Sequence, residues 1–293
     1  MVNEKEAIVN PACGRVFIIA NKQKDGAGRL AHDIEEALGA EGWTVAVFAF
    51  EGKPLEHPDL RGHDIVLTLG GDGTVLYAAR LAAPLTIPIL PINLGSLGFI
   101  AWVKRSEWRR RLDEALGGRL ALSERIMLEI ELKRGGRSMA RFSAMNDGVI
   151  SGAGPAKIVN LSITVSSSPL GTYRSDGVIV STPTGSTAYS LAAGGPILDP
   201  DMDALLFNPI CPFTLSNRPL VIPGKETLEV YVELKQREKT VLTVDGQDYF
   251  PLEEGDRVYF SRAQHLARLY CAARGSFYQV LRAKLNWSGG PDA

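Results

Sequence analysis

The sequence predicts a two-domain chain, in which an α/β domain with a parallel sheet is followed by a β-rich domain. Short apolar runs, glycine-rich turns and helical periodicity alternate through the first third of the sequence. From about Leu122 the pattern changes to short strand-like runs separated by turn residues. A length of 293 residues suits one large domain or two ordinary ones. The alternation of strand, turn and helix implies a parallel sheet with right-handed crossovers.

The elements of the first domain follow from apolar patterning. Residues 65–69 form a continuous apolar run, as expected for a strand that is buried on both faces. The remaining predictions for this domain, in order, are a strand at 16–20, a helix at 30–38, a strand at 43–50, a helix at 75–82 and a strand at 87–90.

The second domain is predicted from strand-like runs bounded by turn residues. A short helical stretch at 187–193 interrupts them, and the tail at 277–285 has helical spacing. We expect domains at 1–122 and 123–265, with the tail of 266–293 packing back on the first domain. The predicted strands are 127–132, 139–150, 158–165, 177–181, 227–234, 240–244 and 257–260.

Composition excludes several classes of protein. A net charge of −1 gives no basic field for general binding to nucleic acid. Cys13, Cys211 and Cys271 are odd in number and widely spaced, unlike a disulfide framework or a zinc site. The N-terminus lacks the layout of a signal peptide, and no apolar run approaches the roughly 20 residues that span a bilayer. We therefore expect a soluble cytoplasmic protein with neither a membrane nor a nucleic-acid partner.

The strongest motif is Gly-Gly-Asp-Gly-Thr, at residues 70–74, between the buried strand and a helix. Its glycines allow close backbone approach to a ligand, and the helix N-terminus offers N–H groups to anionic oxygens. Asp72 is unexpected in a phosphate cradle, because a carboxylate repels phosphate unless it binds a metal or takes a proton. The alternative is that Asp72 only caps a helix that begins near Thr74.

Two further motifs follow strands. Asn-Leu-Gly-Ser-Leu-Gly-Phe, at residues 93–99, follows the next predicted strand, and loops after successive parallel strands emerge at the same sheet edge. The pair Asn146-Asp147 offers an amide beside a carboxylate, which can bracket a ribose or an adenine edge. Taken alone, each motif also fits ordinary turn chemistry.

The longest motif runs from Arg174 to Pro196. A strand leads into a hydroxyl-rich turn, a short helix and a Gly-Gly-Pro stop, and the small residues let a ligand lie close. The alternative interpretation makes Ser186 a helix cap and Tyr189 a core residue.

In this order the four motifs resemble the NAD kinase family. The resemblance is strong from Asp64 to Val221 and weaker through Asp245-Gly246-Gln247 to the tail Lys-Leu-Asn-Trp-Ser at 284–288. Gly-Gly-Asp-Gly-Thr alone is shared with diacylglycerol kinases, sphingosine kinases and, more distantly, phosphofructokinases. The long block with Thr-Pro-Thr-Gly-Ser-Thr-Ala-Tyr is far more specific. The resemblance implies an α/β domain, a β-sandwich-like domain and an active site between them.

The resemblance also implies a reaction, the transfer of a phosphoryl group from ATP or polyphosphate to the 2′-hydroxyl of the adenosine ribose of NAD, giving NADP. Asp72 would accept the hydroxyl proton, and a divalent ion such as Mg²⁺ would shield the donor phosphates from it. The family suggests a homodimer or homotetramer. The phosphate loop would be Gly70, Gly71, Gly73 and Thr74. The dinucleotide would be surrounded by Asp72, Gly73, Asn146, Asp147, Lys157, Arg174, Asp176, Thr187, Ala188, Tyr189, Ser190, Leu191, Ala192 and Gln247.

Two departures and two alternatives accompany the resemblance. Many members have Glu in place of Asp147 and Thr in place of Ser96, so the shorter Asp147 would have to sit nearer the ribose. A lipid or sugar kinase would share only the glycine loop. A non-catalytic dinucleotide sensor would keep the binding motifs, but binding alone favours removal of a carboxylate such as Asp72 from a phosphate loop.

Overall fold

The computed structural model describes residues 14–54, 56–96, 98–154, 157–214, 217–272 and 276–286. Cys13 and the Trp-Ser end of the tail motif lie outside these residues. The chain divides into two compact units, one drawn from residues 1–124 and 267–293 and the other from residues 125–266. No helix in the described ranges is long and apolar enough to cross a membrane.

Among its described residues, the first unit contains four longer helices and seven strands. The helices are α1 (Ala27–Ala40), α2 (Asp72–Ala82) and α3 (Trp108–Leu116), together with the C-terminal helix α5 (Ser276–Leu285). The strands are β1 (Arg15–Asn21), β2 (Thr44–Phe50), β3 (Ile65–Gly70), β4 (Ile89–Asn93), β5 (Val103–Lys104), β6 (Ala121–Arg125) and, near the C-terminus, β19 (Ala267–Cys271).

The strands of the first unit form one sheet in the order β2-β1-β3-β4-β19-β6, with β5 beside β4. The pairs formed by β1 with β2 and β3, and by β4 with β3, β5 and β19, are all parallel. Every residue of β3 is buried, as its apolar run predicts. Because the chain leaves β1 toward one side and returns at β3 on the other, the carboxyl ends of these strands mark a topological switch point.

The second unit consists mainly of antiparallel strands. They are β7 (Leu128–Arg134), β8 (Arg137–Ala144), β9 (Asp147–Gly152), β10 (Val159–Val165), β11 (Ser168–Ser175), β12 (Gly177–Ser181), β13 (Ala204–Ile210), β14 (Leu220–Pro223), β15 (Leu228–Val232), β16 (Thr240–Val244), β17 (Asp248–Leu252) and β18 (Arg257–Arg262). A 3₁₀ turn at Thr184–Thr187 and the short helix α4 (Tyr189–Ala192) follow β12.

Two six-stranded sheets make up this unit, in the orders β11-β10-β15-β18-β7-β8 and β14-β13-β12-β9-β16-β17. Inward residues of both sheets share one apolar core, to which Ile130 and Phe260 contribute from the first sheet and Val180 and Phe207 from the second. The alternating burial along β7, β10 and β15 is typical of strands with one face on a core. The predicted fold class is confirmed.

Several predicted elements differ from the structure. The single strand predicted at 139–150 is two strands, β8 and β9, because the chain passes from one sheet of the second unit to the other between them. The helix predicted at 187–193 is a 3₁₀ turn followed by one turn of α4. The prediction omitted α3, β5, β6, β11, β13, β14, β17 and β19. Some of these are hard to predict: β11 contains proline and glycine, and β19 joins the first sheet from a distant part of the sequence.

Candidate functional site

The conformation of the glycine loop after β3 depends on glycine at position 70. Gly71 occupies the N-cap position of α2 in an extended conformation, and Asp72 is the first helical residue. No side chain caps this helix, so the alternative in which Asp72 is the cap is wrong. A Cβ on Gly70 would come within 2.1 Å of Oγ1 of Thr74, whose side chain is buried. Glycine at position 70 therefore lets the strand turn directly into the helix.

The carboxylate of Asp72 accepts three consecutive backbone N–H groups. The N–H of Phe99 donates to Oδ2 at 2.9 Å, and those of Ile100 and Ala101 donate to Oδ1 at 3.2 and 2.8 Å. A carboxylate offers about four lone-pair positions. One position on Oδ2 thus remains for a further hydrogen bond.

The two motifs that follow β3 and β4 lie side by side, as predicted from successive parallel strands. The N–H of Leu94 donates to the carbonyl of Gly70 at 2.7 Å. Asn93 orders its own turn, since its Oδ1 accepts the N–H of Gly95 and its Nδ2 donates to the carbonyl of Ser96. A Cβ on Gly98 would lie 2.0 Å from Oδ1 of Asp72. Glycine at position 98 therefore allows the loop to reach the carboxylate.

A cavity of about 320 Å³ opens in the second unit. Four of the predicted dinucleotide residues line it, namely Asn146, Asp147, Ala188 and Tyr189. Its remaining lining residues were not predicted, and they are Val149, Ser151, Thr243, Asp245 and Gly246. The cavity thus brings together the Asn-Asp pair and the start of the helix in the longest motif.

Asn146 is held by its backbone, whereas its side-chain oxygen has no partner. Its carbonyl accepts the N–H of Thr182 at 2.8 Å, and a Cβ on Gly185 would lie 2.1 Å from the same oxygen. Oδ1 of Asn146 is buried and forms no hydrogen bond in the structure. Because a buried polar atom without a partner is costly, this oxygen indicates a position where a ligand donates.

The cavity contains two buried carboxylates, Asp147 and Asp245. Burial and the negative charge of Asp245 raise the pKa of Asp147 to about 7. Oδ1 of Asp245 accepts the N–H groups of Asn146 and Asp147, at 2.8 and 3.1 Å, and Oδ2 accepts that of Met145 at 3.0 Å. Sequence reasoning missed Asp245, since an Asp-Gly pair between two strands is also the usual signal of a tight hairpin turn.

Around the longest motif, both alternative interpretations are wrong. Tyr189 is 48% exposed and lines the cavity, so it is not a core residue. Ser186 does not cap a helix, because its hydroxyl donates to the carbonyl of Pro183 and accepts the N–H of Leu198.

The other predicted binding residues of the second unit are not among the lining residues of this cavity. Arg174 stacks on the Phe213 ring, with its guanidinium carbon 5.0 Å from the ring centroid. Nζ of Lys157 is 2.8 Å from Oε1 of Glu238. The N–H groups of Asp176 and Gln247 donate to the carbonyls of Ile210 and Val244. The Thr187 hydroxyl donates to the carbonyl of Thr184, and the carbonyl of Ser190 accepts Nδ2 of Asn208. Leu191 and Ala192 complete α4.

The side chains of the described residues do not by themselves form a binding site for a cation. Within the described ranges, no cluster of three or more His, Cys, Asp or Glu side chains is arranged to hold a metal ion. Asp72, the carboxylate of the glycine loop, has one lone-pair position left after its three backbone bonds. These residues fit an ion that arrives with most of its ligands supplied by phosphate and water.

Comparison with known proteins gives a consistent result along the chain. Residues 50–120 match the family model described as ATP-NAD kinase N-terminal domain, and residues 145–271 match ATP-NAD kinase C-terminal domain. NAD kinase of Treponema denticola is 42% identical over 277 residues, which are 94% of this chain and 97% of that protein. NAD kinase of Desulforamulus reducens is 45% identical over 230 residues, which are 78% of this chain and 80% of that protein.

Solved structures support the fold. Yeast NADH kinase, determined with NADH, has a TM-score of 0.80 at 24% identity, covering 96% of this chain and 90% of that chain. An NAD kinase from Archaeoglobus fulgidus, determined with ATP, has a TM-score of 0.72 at 24% identity, covering 94% of this chain and 100% of that chain.

Proposed function

The chain belongs to the NAD kinase family, and from this premise we propose which of its residues bind and phosphorylate NAD. The reaction transfers a phosphoryl group to the 2′-hydroxyl of the adenosine ribose, giving NADP. We place the adenosine part of NAD in the cavity that Asn146 and Asp147 line. The observation that carries this assignment is the buried Oδ1 of Asn146, which has no partner in the structure.

The cavity suits an adenosine through both of its polar residues. Oδ1 of Asn146 accepts a hydrogen bond from the base or the ribose, which satisfies a buried atom that is otherwise unpaired. The Asp147 carboxyl accepts from a ribose hydroxyl, and it can also donate while it is protonated. Tyr189, which is half exposed at the cavity, offers a ring face to the base. The remaining residues of the proposed binding surface are Arg174, Asp176, Thr187, Ser190–Ala192 and Gln247.

Lys157 contacts the dinucleotide only if it leaves its ion pair. Its ammonium group is bonded to Glu238, and both side chains are partly exposed. Exposed pairs of this kind contribute little to stability, about 0–1 kcal/mol. A phosphate of NAD can therefore compete for Lys157, and we keep this residue in the proposed site.

We assign Asp72 the role of proton acceptor for the 2′-hydroxyl. The three backbone N–H groups fix its orientation, and the remaining lone-pair position on Oδ2 can receive the hydroxyl proton. A positioned carboxylate contributes roughly 10²–10⁴-fold to such a transfer. The same three bonds also suit a residue that only anchors the loop, so activity and stability must be measured separately in Asp72 variants.

The donor phosphates are assigned to the glycine loop of Gly70, Gly71, Gly73 and Thr74. The first turn of α2 begins there, and the helix dipole favours an anion at a helix N-terminus. Mg²⁺ enters as part of the donor substrate, because phosphate oxygens and water supply most of its ligands. The family-model description favours ATP as donor, and polyphosphate offers the same terminal chemistry.

We further propose a cytoplasmic homodimer or homotetramer. Cys211 and Cys271 are free thiols, which suits a reducing compartment. At the sheet edge formed by β14, Leu220 and Val221 are 39% and 40% exposed, and nearby in sequence Phe213 is 71% exposed. Apolar side chains at an edge strand are typical of surfaces that pair with another chain.

The test is an assay for NADP with ATP and polyphosphate run side by side in the presence of Mg²⁺ and NAD. We expect NADP with at least one donor, and an Asn146→Ala variant with a KM for NAD raised about tenfold, the scale of one buried hydrogen bond. A native KM in Asn146→Ala would contradict the assignment of the adenosine to this cavity. Equal rates with inorganic polyphosphate and ATP would contradict a preference for the nucleotide.

A further inference from the structure

Asp245 lies in a hairpin turn, yet its side chain is buried. It follows β16, and it and Gly246 have positive φ angles of 50° and 64°, which close the turn toward β17. Aspartates at such turns commonly face solvent. Asp245 is 8% exposed and lines the cavity.

The Asp245 carboxylate accepts hydrogen bonds from backbone N–H groups that are 98–100 residues away in the sequence. Met145, Asn146 and Asp147 all donate to it at 2.8–3.1 Å, and its own N–H donates to the carbonyl of Asp147 at 2.9 Å. Hydrogen bonds to an ionised acceptor are about twice as strong as neutral ones. Four bonds therefore hold one short backbone segment against the turn.

That segment carries the two polar side chains of the cavity. Both Asn146 and Asp147 are buried, and their orientation depends on the backbone that Asp245 fixes. Of the residues lining the cavity, Asp147, Asp245 and Tyr189 are titratable, and Asp245 is the neighbour whose charge raises the pKa of Asp147. The turn carboxylate thus acts on the cavity through both geometry and charge.

We propose that Asp245 is a positioning residue for NAD: its carboxylate holds the backbone of residues 145–147 and thereby sets the direction of the Asn146 and Asp147 side chains. This role rests on the proposed placement of the adenosine in the cavity. Asp245 itself does not need to touch the substrate.

The direct test is Asp245→Asn, which keeps the size of the side chain and its tolerance for a turn. Only one oxygen remains to accept three N–H groups, so at least one loses its acceptor. We expect the KM for NAD to rise about tenfold, which is the scale of one charge-assisted hydrogen bond. The value of kcat should change less than threefold. The pH limb of kcat/KM for NAD should also shift to lower pH, because Asp147 loses the neighbouring charge that raises its pKa.

Asp256→Asn is the matched control. Asp256 is a fully buried carboxylate of the same unit that accepts the N–H of Glu253 and pairs with Arg134, and it does not line the cavity. This variant should lower the melting temperature and leave the KM for NAD and the pH limb native. A shared loss of stability with no change in KM or pH limb for Asp245→Asn would make Asp245 merely structural and overturn the proposal.

Two further results separate the remaining outcomes. A native KM in both Asn146→Ala and Asp245→Asn would refute the cavity as the adenosine site, whereas a raised KM in Asn146→Ala alone would refute only the role of Asp245. If Asp245→Asn does not fold, hydrogen exchange of the unaltered protein decides. Slow exchange of the Asn146 and Asp147 amides without NAD is expected, and fast exchange would show that Asp245 does not hold the segment before substrate binds.

Discussion

Two carboxylates in different units of the molecule make the same set of bonds. Asp72 accepts the N–H groups of residues 99–101, and Asp245 accepts those of residues 145–147. The partners of Asp72 are 27–29 residues away, on the loop after the adjacent parallel strand, whereas those of Asp245 are 98–100 residues away. A fixed carboxylate is thus the device by which each unit shapes a loop.

The surroundings make the two carboxylates chemically different. Asp72 belongs to the first turn of a helix, and its Oδ2 keeps one lone-pair position beside its three backbone bonds. Asp245 instead shares a buried cavity with Asp147, and the two charges repel, so that Asp147 tends to hold a proton near neutral pH. The first arrangement suits proton acceptance from a substrate, and the second suits orientation of neighbouring side chains.

The largest effect is expected for Asp72→Asn. The amide cannot accept the hydroxyl proton, so turnover should fall roughly 10²–10⁴-fold. The unfolding free energy should fall by only about 1–3 kcal/mol, because one of the three loop N–H groups loses its acceptor. Steady-state NADP formation and urea unfolding measure the two quantities on the same preparation.

The comparison between the carboxylates fails if Asp72→Asn keeps ordinary turnover. In that case Asp72 would do for its loop only what Asp245 does for its own, and the proton would have to leave by another route. A loss of turnover that merely follows the loss of folded protein would lead to the same conclusion.

The contact between Gly98 and Asp72 gives the next effect. In Gly98→Ala the new methyl group would lie 2.0 Å from Oδ1 of Asp72, so either the loop or the carboxylate must move. We expect turnover to fall about a hundredfold, the cost of a displacement near 1 Å, and the unfolding free energy to fall by about 1–3 kcal/mol. Asp72 itself is unchanged, so this variant separates position from chemical identity.

Gly39→Ala is the control for that substitution. Gly39 is exposed in α1, and a Cβ there meets no atom within 4 Å. Alanine should raise the unfolding free energy by up to about 1 kcal/mol through helix propensity and leave turnover unchanged. Native turnover in Gly98→Ala would show that the loop can retreat without moving Asp72.

The motifs that lie close together in sequence were the most informative part of the chain before its structure was known. The Gly-Gly-Asp-Gly-Thr loop and the Asn93 motif predicted a common sheet edge, because parallel neighbours expose their loops together, and the bonds to Asp72 confirm it. The long motif that begins at Arg174 predicted the family, and the relatives confirm that prediction. The dinucleotide contacts assigned to the individual residues of these motifs stay predictions.

Relationships that depend on distant residues could not be predicted in the same way. Asp245 belongs to the weaker part of the family resemblance, Asp245-Gly246-Gln247, and nothing in this local sequence indicates N–H partners a hundred residues away. Likewise, the sequence gives no sign that Lys157 forms an ion pair with Glu238, which is 81 residues away and which only the fold brings close. The order of strands in an antiparallel sandwich determines both contacts, and alternation of apolar residues does not specify that order.

The last prediction tests the charge of the Asp147 and Asp245 pair through its effect on stability alone. Asp147 ionises near pH 3.8 when unfolded and near 7 when folded, so the folded state binds the extra proton between these values. The unfolding free energy should therefore fall as pH rises from about 4 to about 7, by up to about 1.4 kcal/mol per pH unit, and level off above that. Asp147→Asn removes this contribution, so the variant should gain stability over the parent as pH rises.

Urea unfolding of both proteins at pH 5, 6, 7 and 8 measures that difference, which cancels the other titrating groups. A difference that does not change with pH would mean that Asp147 is ionised throughout and that Asp245 does not affect it. A difference that grows with pH up to about 7 instead places the protonated carboxyl in the second unit, because burial beside a second charge is what keeps the proton on Asp147.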